Sequence, residues 1–202
     1  MTNDTTLFLG QWLRSPGTIG AVAPSSQRLA ETVTTPVPHR GDPVVVELGP
    51  GTGAFTGEIQ RRLAGRGHHL AVEINPRLAA FLTARHPGVD VVVGDAARLP
   101  QLLRERGLDR ADAIVSGLPW AAFSEETQAG LLNAVTAIMG PNAAFTTFAY
   151  SFAKRMRPAR RFRRRLHDTF EEVVAGRTVW GNLPPAFVYH ARRPRVSPAE
   201  PA

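Results

Sequence analysis

Apolar positions along this chain change rhythm in a regular way, and that rhythm predicts its elements. Short runs rich in Val, Ile and Ala read as buried strands, and the longer stretches between them carry apolar residues at helical spacing. The spacing predicts strands at 44–48, 69–73, 89–94, 111–116 and 143–150, and helices at 53–64, 76–85, 98–106 and 125–139. Such alternation argues for a parallel sheet covered by helices. The basic stretch 154–167 is expected to be helical, with Pro158 as an interruption. Phe170 to Trp180 and Phe187 to Arg192 are expected to pair as an antiparallel hairpin across Gly181 to Pro185. Ahead of the sheet, Leu7, Phe8, Leu9, Trp12 and Leu13 crowd a short helical segment. Ser25 or Ser26 is placed to cap a second helix running to about Thr34. The expected organisation is an N-terminal helical segment (1–40), one sheet domain (41–193) and a disordered tail (194–202), without internal repeats.

One run calls for arbitration. Thr127 to Ala153 has no charged residue and is long enough to suggest a membrane span. Gly140-Pro141-Asn142 breaks it, and Gln128 and Asn133 dilute it, so it reads as a buried helix, a turn and a buried strand. The N-terminus, Met1-Thr2-Asn3-Asp4, has neither a positive leader nor a long apolar run, which makes the cytoplasm the expected compartment. The chain contains no cysteine, which excludes disulfides, thiolate metal sites and cysteine nucleophiles; no metal is expected. Its length of 202 residues and 43% apolar content suit one ordinary domain.

Charge adds a partner. The formal net charge is +7, and the cations are concentrated: Lys154, Arg155, Arg157, Arg160, Arg161, Arg163, Arg164 and Arg165 lie close together. A block of this density suits an anionic partner, a phospholipid surface or nucleic acid, although a solvated helix face would also accommodate it.

The candidate chemistry sits where strands end. After Val44-Val45-Val46 come Glu47-Leu48-Gly49-Pro50-Gly51-Thr52-Gly53, with glycine at alternate positions before a helix. Glycines let the backbone turn sharply and let a ligand approach without a Cβ in the way, and the helix start offers free N–H groups. This Gly-x-Gly-x-Gly spacing differs from the dinucleotide fingerprint. Glu73 closes the second strand 20 residues past Gly53, where a carboxylate can accept from both hydroxyls of a ribose. Asp95 follows the third strand, and Ser116-Gly117-Leu118-Pro119-Trp120 follows the fourth. In open α/β sheets the carboxyl ends of strands are where ligands bind.

The glycine segment resembles motif I of class I S-adenosylmethionine (SAM) methyltransferases, and Ser116 to Trp120 partly resembles the motif by which N-methyltransferases hold a planar amino group, with Leu118 in place of the first proline. Together with Ile19-Gly20-Ala21-Val22-Ala23-Pro24-Ser25-Ser26 and Val179-Trp180-Gly181-Asn182-Leu183-Pro184-Pro185-Ala186, the chain resembles the bacterial phospholipid (phosphatidylethanolamine) N-methyltransferases, which are similar in turn to ribosomal RNA adenine dimethyltransferases. The resemblance implies a Rossmann-like α/β fold with a seven-stranded, mostly parallel sheet and a C-terminal antiparallel hairpin. It implies SAM as cofactor, with S-adenosyl-L-homocysteine as product, held by Glu47, Gly49, Gly51, Gly53, Glu73, Ile74, Asp95, Ala96 and Ser116. It implies transfer at Ser116, Gly117, Leu118, Trp120 and Tyr150, where backbone carbonyls orient an amine and aromatic faces meet a cation. Core packing is the simpler role for Trp120, Tyr150 and Trp180 taken singly. His190 and Glu125 are candidate bases, and proton loss to water from a desolvated site is preferred. The implied partner is the anionic inner face of the cell membrane, met through Leu7–Leu13 and the 154–165 block. An RNA methyltransferase, a small-molecule methyltransferase and a SAM-binding protein without transfer activity are the rivals.

Overall fold

The computed structural model describes residues 25–195. The first helical segment, Leu7–Leu13, and the tail beyond Arg195 lie outside them. α1 (Gln27–Val33) is capped as the sequence implied: the Ser26 hydroxyl accepts from the Leu29 N–H. There follow β1 (Val44–Leu48), α2 (Thr56–Leu63), β2 (His68–Glu73), α3 (Pro76–Arg85), β3 (Asp90–Val93), α4 (Leu99–Arg104), β4 (Ala111–Ser116), α5 (Glu125–Ile138), β5 (Met139–Tyr150), α6 (Arg157–Thr169), β6 (Phe170–Ala175) and β7 (Ala186–Pro194). The sheet has seven strands in the order β3-β2-β1-β4-β5-β7-β6. β1 to β5 run parallel to one another, and β7 is antiparallel to both β5 and β6. This is the sheet expected from sequence.

Strand alternation divides the core. Val46, Leu48, Leu70, Val72 and Ile114 face α4, α5 and α6, where Leu99, Leu103, Leu132, Val135, Phe162 and Leu166 meet them. Val45, Ala113 and Val115 face the other way, onto Leu29 and Val33 of α1 and Ile59 and Leu63 of α2. A sheet between two helical layers buries both of its faces, which is why its central strands read as continuous apolar runs.

Several boundaries moved, each for a local reason. The helix after the glycine loop begins at Thr56 rather than at residue 53, because Gly53 has a positive φ of 88° and cannot continue into a helix. β5 begins at Met139, directly after α5: Gly140-Pro141-Asn142 is an irregular strand start, with a register shift against β4 between Ala111 and Ala113. Pro158 does not interrupt the basic helix; it stands in the first turn of α6, where a missing N–H costs nothing. The hairpin is shorter on one side than expected, since β6 ends at Ala175 and a loop with one bridge, Val179 to Ala186, leads into β7. Trp180, expected to be packed in the core, is 76% exposed. Among the described residues no helix is long and apolar enough to cross a membrane.

Candidate functional site

The glycine loop leaves β1 with Gly49, Gly51 and Gly53 all at positive φ (62°, 58° and 88°), a backbone path that L side chains resist. The loop is held at three points. The Gly49 N–H donates to Val72 O, the Gly53 N–H to Pro50 O, and the Gly51 N–H to Glu73 Oε2 at 3.0 Å. Glu73 Oε1 accepts from the Asn75 N–H at 2.9 Å. Burial pushes the Glu73 carboxyl above its ordinary value, against the lowering effect of these backbone donors. A carboxylate has about four acceptor positions, so Glu73 keeps capacity for a ligand while it pins the loop.

Across from the loop, β4 delivers Ser116-Gly117-Leu118-Pro119. The Gly117 N–H donates to Leu48 O at 2.8 Å, and a Cβ on Gly117 would stand 2.6 Å from Gly49 O. Only glycine permits this backbone-on-backbone approach. The Ser116 hydroxyl is fully buried and turned inward, accepting from the Leu118 N–H and from the Trp120 indole N–H at 2.9 Å. Asp95 caps the turn after β3 through the Ala97 N–H.

These segments enclose a cleft of about 560 Å³, open solvent included, at the carboxyl ends of β1, β2, β3 and β4. Gly49, Gly51, Glu73, Ile74, Asp95, Ala96, Gly117 and Leu118 line it, so eight residues named from sequence come together. Val72, Gly94, Pro119, Phe123 and Leu131 line it as well. Pro119 was part of the candidate segment but was given no role, and the sequence reading missed the other four. Gly94 and Pro119 adjoin named residues, but Phe123 and Leu131 carry no motif and are brought in by the turn after β4 and by α5.

Five named residues stand outside the lining, Ser116 with its inward-turned hydroxyl among them. Trp120 is not at the cleft: it is 2% exposed, stacked on Phe162 at 5.1 Å and edge-on to Phe145 and Phe123. Tyr150 belongs to an aromatic row with Phe148 and Phe152 rather than to the lining residues. Glu47 is fully buried behind the loop, where its Oε2 accepts from the Thr56 hydroxyl at 2.8 Å and lies 3.2 Å from His69 Nε2. Its other oxygen has no hydrogen-bond partner in the protein. Gly53 faces Leu82 and His86 beneath the loop. Neither candidate base is placed to act. His190 pairs with Thr146, whose hydroxyl reaches Val33 O of α1, so it lies on the face opposite Phe123 and Leu131. Glu125 faces Arg161 and Arg165 at 3.6 and 3.8 Å.

A parallel sheet with this strand order, an antiparallel last strand and a glycine loop facing two strand-end carboxylates has the fold of the class I SAM-dependent methyltransferases. The O-methyltransferase from Bacillus cereus, solved with S-adenosylhomocysteine, superposes with a TM-score of 0.66 at 15% identity, covering 96% of this chain and 93% of that one. The ornithine lipid N-methyltransferase of Singulisphaera acidiphila is 35% identical over 195 residues, covering 94% of this chain and 96% of that protein. A ribosomal RNA small subunit methyltransferase A from a Synechococcus strain is 38% identical over 96 residues, only 46% of this chain and 31% of that protein. The TrkA-N domain model matches residues 50–168. The chain belongs to the family of the ornithine lipid N-methyltransferase along nearly its whole length, and over residues 50–168 to the TrkA-N domain family. It is a SAM-dependent methyltransferase.

Proposed function

We propose that this protein methylates the amine of a membrane lipid, phosphatidylethanolamine or an ornithine lipid, at the cytoplasmic membrane surface. The observation that carries the reading is the cleft itself: a glycine loop with an open backbone, two carboxylates at adjacent strand ends, and a polar turn from β4 closing the third side. Its near full-length likeness to a lipid N-methyltransferase supports the substrate class.

The residues fit SAM. Glu73 would accept from the ribose hydroxyls and Asp95 from the adenine amino group, while Ile74, Ala96, Leu118 and Leu131 offer apolar walls to the ring. The buried Glu47 oxygen without a partner leaves an acceptor beneath the loop, on the side where the ammonium of the methionine part would lie. When bound, SAM supplies an electrophilic methyl group to a nitrogen lone pair and leaves as S-adenosyl-L-homocysteine. The protein's own contribution is position. Backbone carbonyls of Ser116 and Gly117, fixed by their contacts with β1, would orient the amine. Phe123 and Leu131 would keep water from it, which favours the uncharged amine that carries the lone pair. With His190 and Glu125 turned elsewhere, the proton passes to water.

The test incubates the protein with radiolabelled SAM and detergent-dispersed phosphatidylethanolamine, ornithine lipid or total RNA in parallel. Label in one of the lipids is the expected result and identifies the head group. Label only in RNA would sink the lipid reading and move the chain to the adenine-methylating relatives.

A further inference from the structure

Four large apolar side chains are exposed outside the cleft: Trp180 (76%), Leu183 (70%), Phe152 (62%) and Met156 (53%). They come from two segments that touch. The Ser151 N–H donates to Pro185 O and the Ser151 hydroxyl to Thr178 Oγ1, so the turn after β5 and the loop before β7 form one surface. Both leave the sheet at the carboxyl end of β5, since Tyr150 pairs with Ala186. β5 runs parallel to β4, which places this surface on the same rim as Gly117 and Leu118.

The loop displaying Trp180 and Leu183 is fixed from beneath. Val179 bridges to Ala186. Asn182, 3% exposed, accepts from the Ser26 N–H and donates to Pro184 O. The buried residues anchor the turn while their neighbours point outward, so little conformational freedom is lost when the outward side chains are covered. Beside them, Lys154, Arg155, Arg160 and Arg163 share one shallow recess.

We infer that this rim, with Trp180 and Leu183 as inserting side chains and the recess of Lys154, Arg155, Arg160 and Arg163 as the cationic flank, docks the protein on an anionic phospholipid bilayer with the cleft facing the lipid. The inference rests on the lipid-methylating reading. Charge decides the occupant: an apolar tip beside clustered cations is the pair of signals that interfacial attachment needs, and indole is suited to the headgroup level. An apolar protein partner would not call for the cations.

The test uses the full chain with Trp12 replaced by Phe, which leaves the buried Trp120 and the exposed Trp180 as fluorophores. With phosphatidylglycerol-containing vesicles carrying brominated acyl chains, we expect quenching that disappears when Trp180→Phe is added. We also expect Trp180→Ser/Leu183→Ser to weaken vesicle partition about tenfold or more, with methylation of detergent-dispersed phosphatidylethanolamine or ornithine lipid at the parent level. Quenching that survives Trp180→Phe, or is absent beforehand, overturns the proposal. So does a double variant that turns a dimer into a monomer with vesicle partition unchanged, since the rim would then join two copies. A parent that is quenched but methylates no dispersed lipid refutes the substrate reading alone; a parent that methylates dispersed lipid without quenching refutes the docking surface alone.

Discussion

Glu73 has two tasks that different substitutions separate. It holds the Gly51 N–H and the Asn75 N–H, and it lines the cleft, where the proposed function gives it the ribose. Glu73→Ala removes the loop's anchor and the acceptor together, and titration calorimetry should register a loss in SAM affinity of about tenfold or more. Glu73→Gln isolates the charge. Because burial raises the native carboxyl above its ordinary value of 4.5, the folded chain binds this proton more tightly than the unfolded chain does. Between those two values the native state carries more protons, so stability contributed by this group falls as pH rises through that window. Denaturant midpoints taken across it should therefore show the Gln variant gaining on the parent as pH increases. Gly117→Ala tests a different constraint. A Cβ 2.6 Å from the Gly49 carbonyl forces the two turns apart, and SAM binding should drop sharply while the far half of the sheet keeps its structure. Most of the cleft was legible at this scale, because Gly49, Gly51, Glu73, Asp95 and Gly117 are fixed by where strands end. For Trp120 the sequence offered both a place at the transfer site and core packing, and it could not choose, because motif position locates a residue without saying which way its side chain turns. Its indole N–H found Ser116 in the core, a choice made by Phe145 and Phe162, far apart in sequence.

α6 is the element whose two faces do unrelated things. Ala159, Phe162 and Leu166 are buried, and arginines fill the opposite face. Phe162 stacks on Trp120 and meets Tyr189 edge-on, so Phe162→Ala should cost about 3–5 kcal/mol, measured by chemical denaturation. The arginines differ among themselves. Arg161 donates to Phe123 O and faces Glu125, as Arg165 does, and these two tie α6 to the region around the cleft. Arg160 and Arg163 reach the open recess instead. The helical spacing of the block was readable in the sequence; the division of its charges was not, because it depends on where α5 places Glu125. The same holds for Pro158: its effect depends on its distance from the helix start, and that start was set by Met156 and the turn before it.

At the scale of the molecule, cations and exposed apolar groups collect on the rim that carries the cleft. Replacing Arg160 and Arg163 by Gln should flatten the salt dependence of vesicle binding and leave SAM affinity unchanged, checked by sedimentation at several ionic strengths. The sheet order has a consequence of another kind. β7, the last strand among the described residues, lies between β5 and β6, both made earlier. Until residues 186–194 emerge during synthesis, β5 has no partner on that side and β6 has none at all. The nascent chain can assemble β1 to β5 as it appears, but it must hold a gap open for β7. A message cut short before Ala186 would therefore yield a protein with a bare edge on β5 and a wholly unpaired β6, the kind of product that chaperones and proteases intercept.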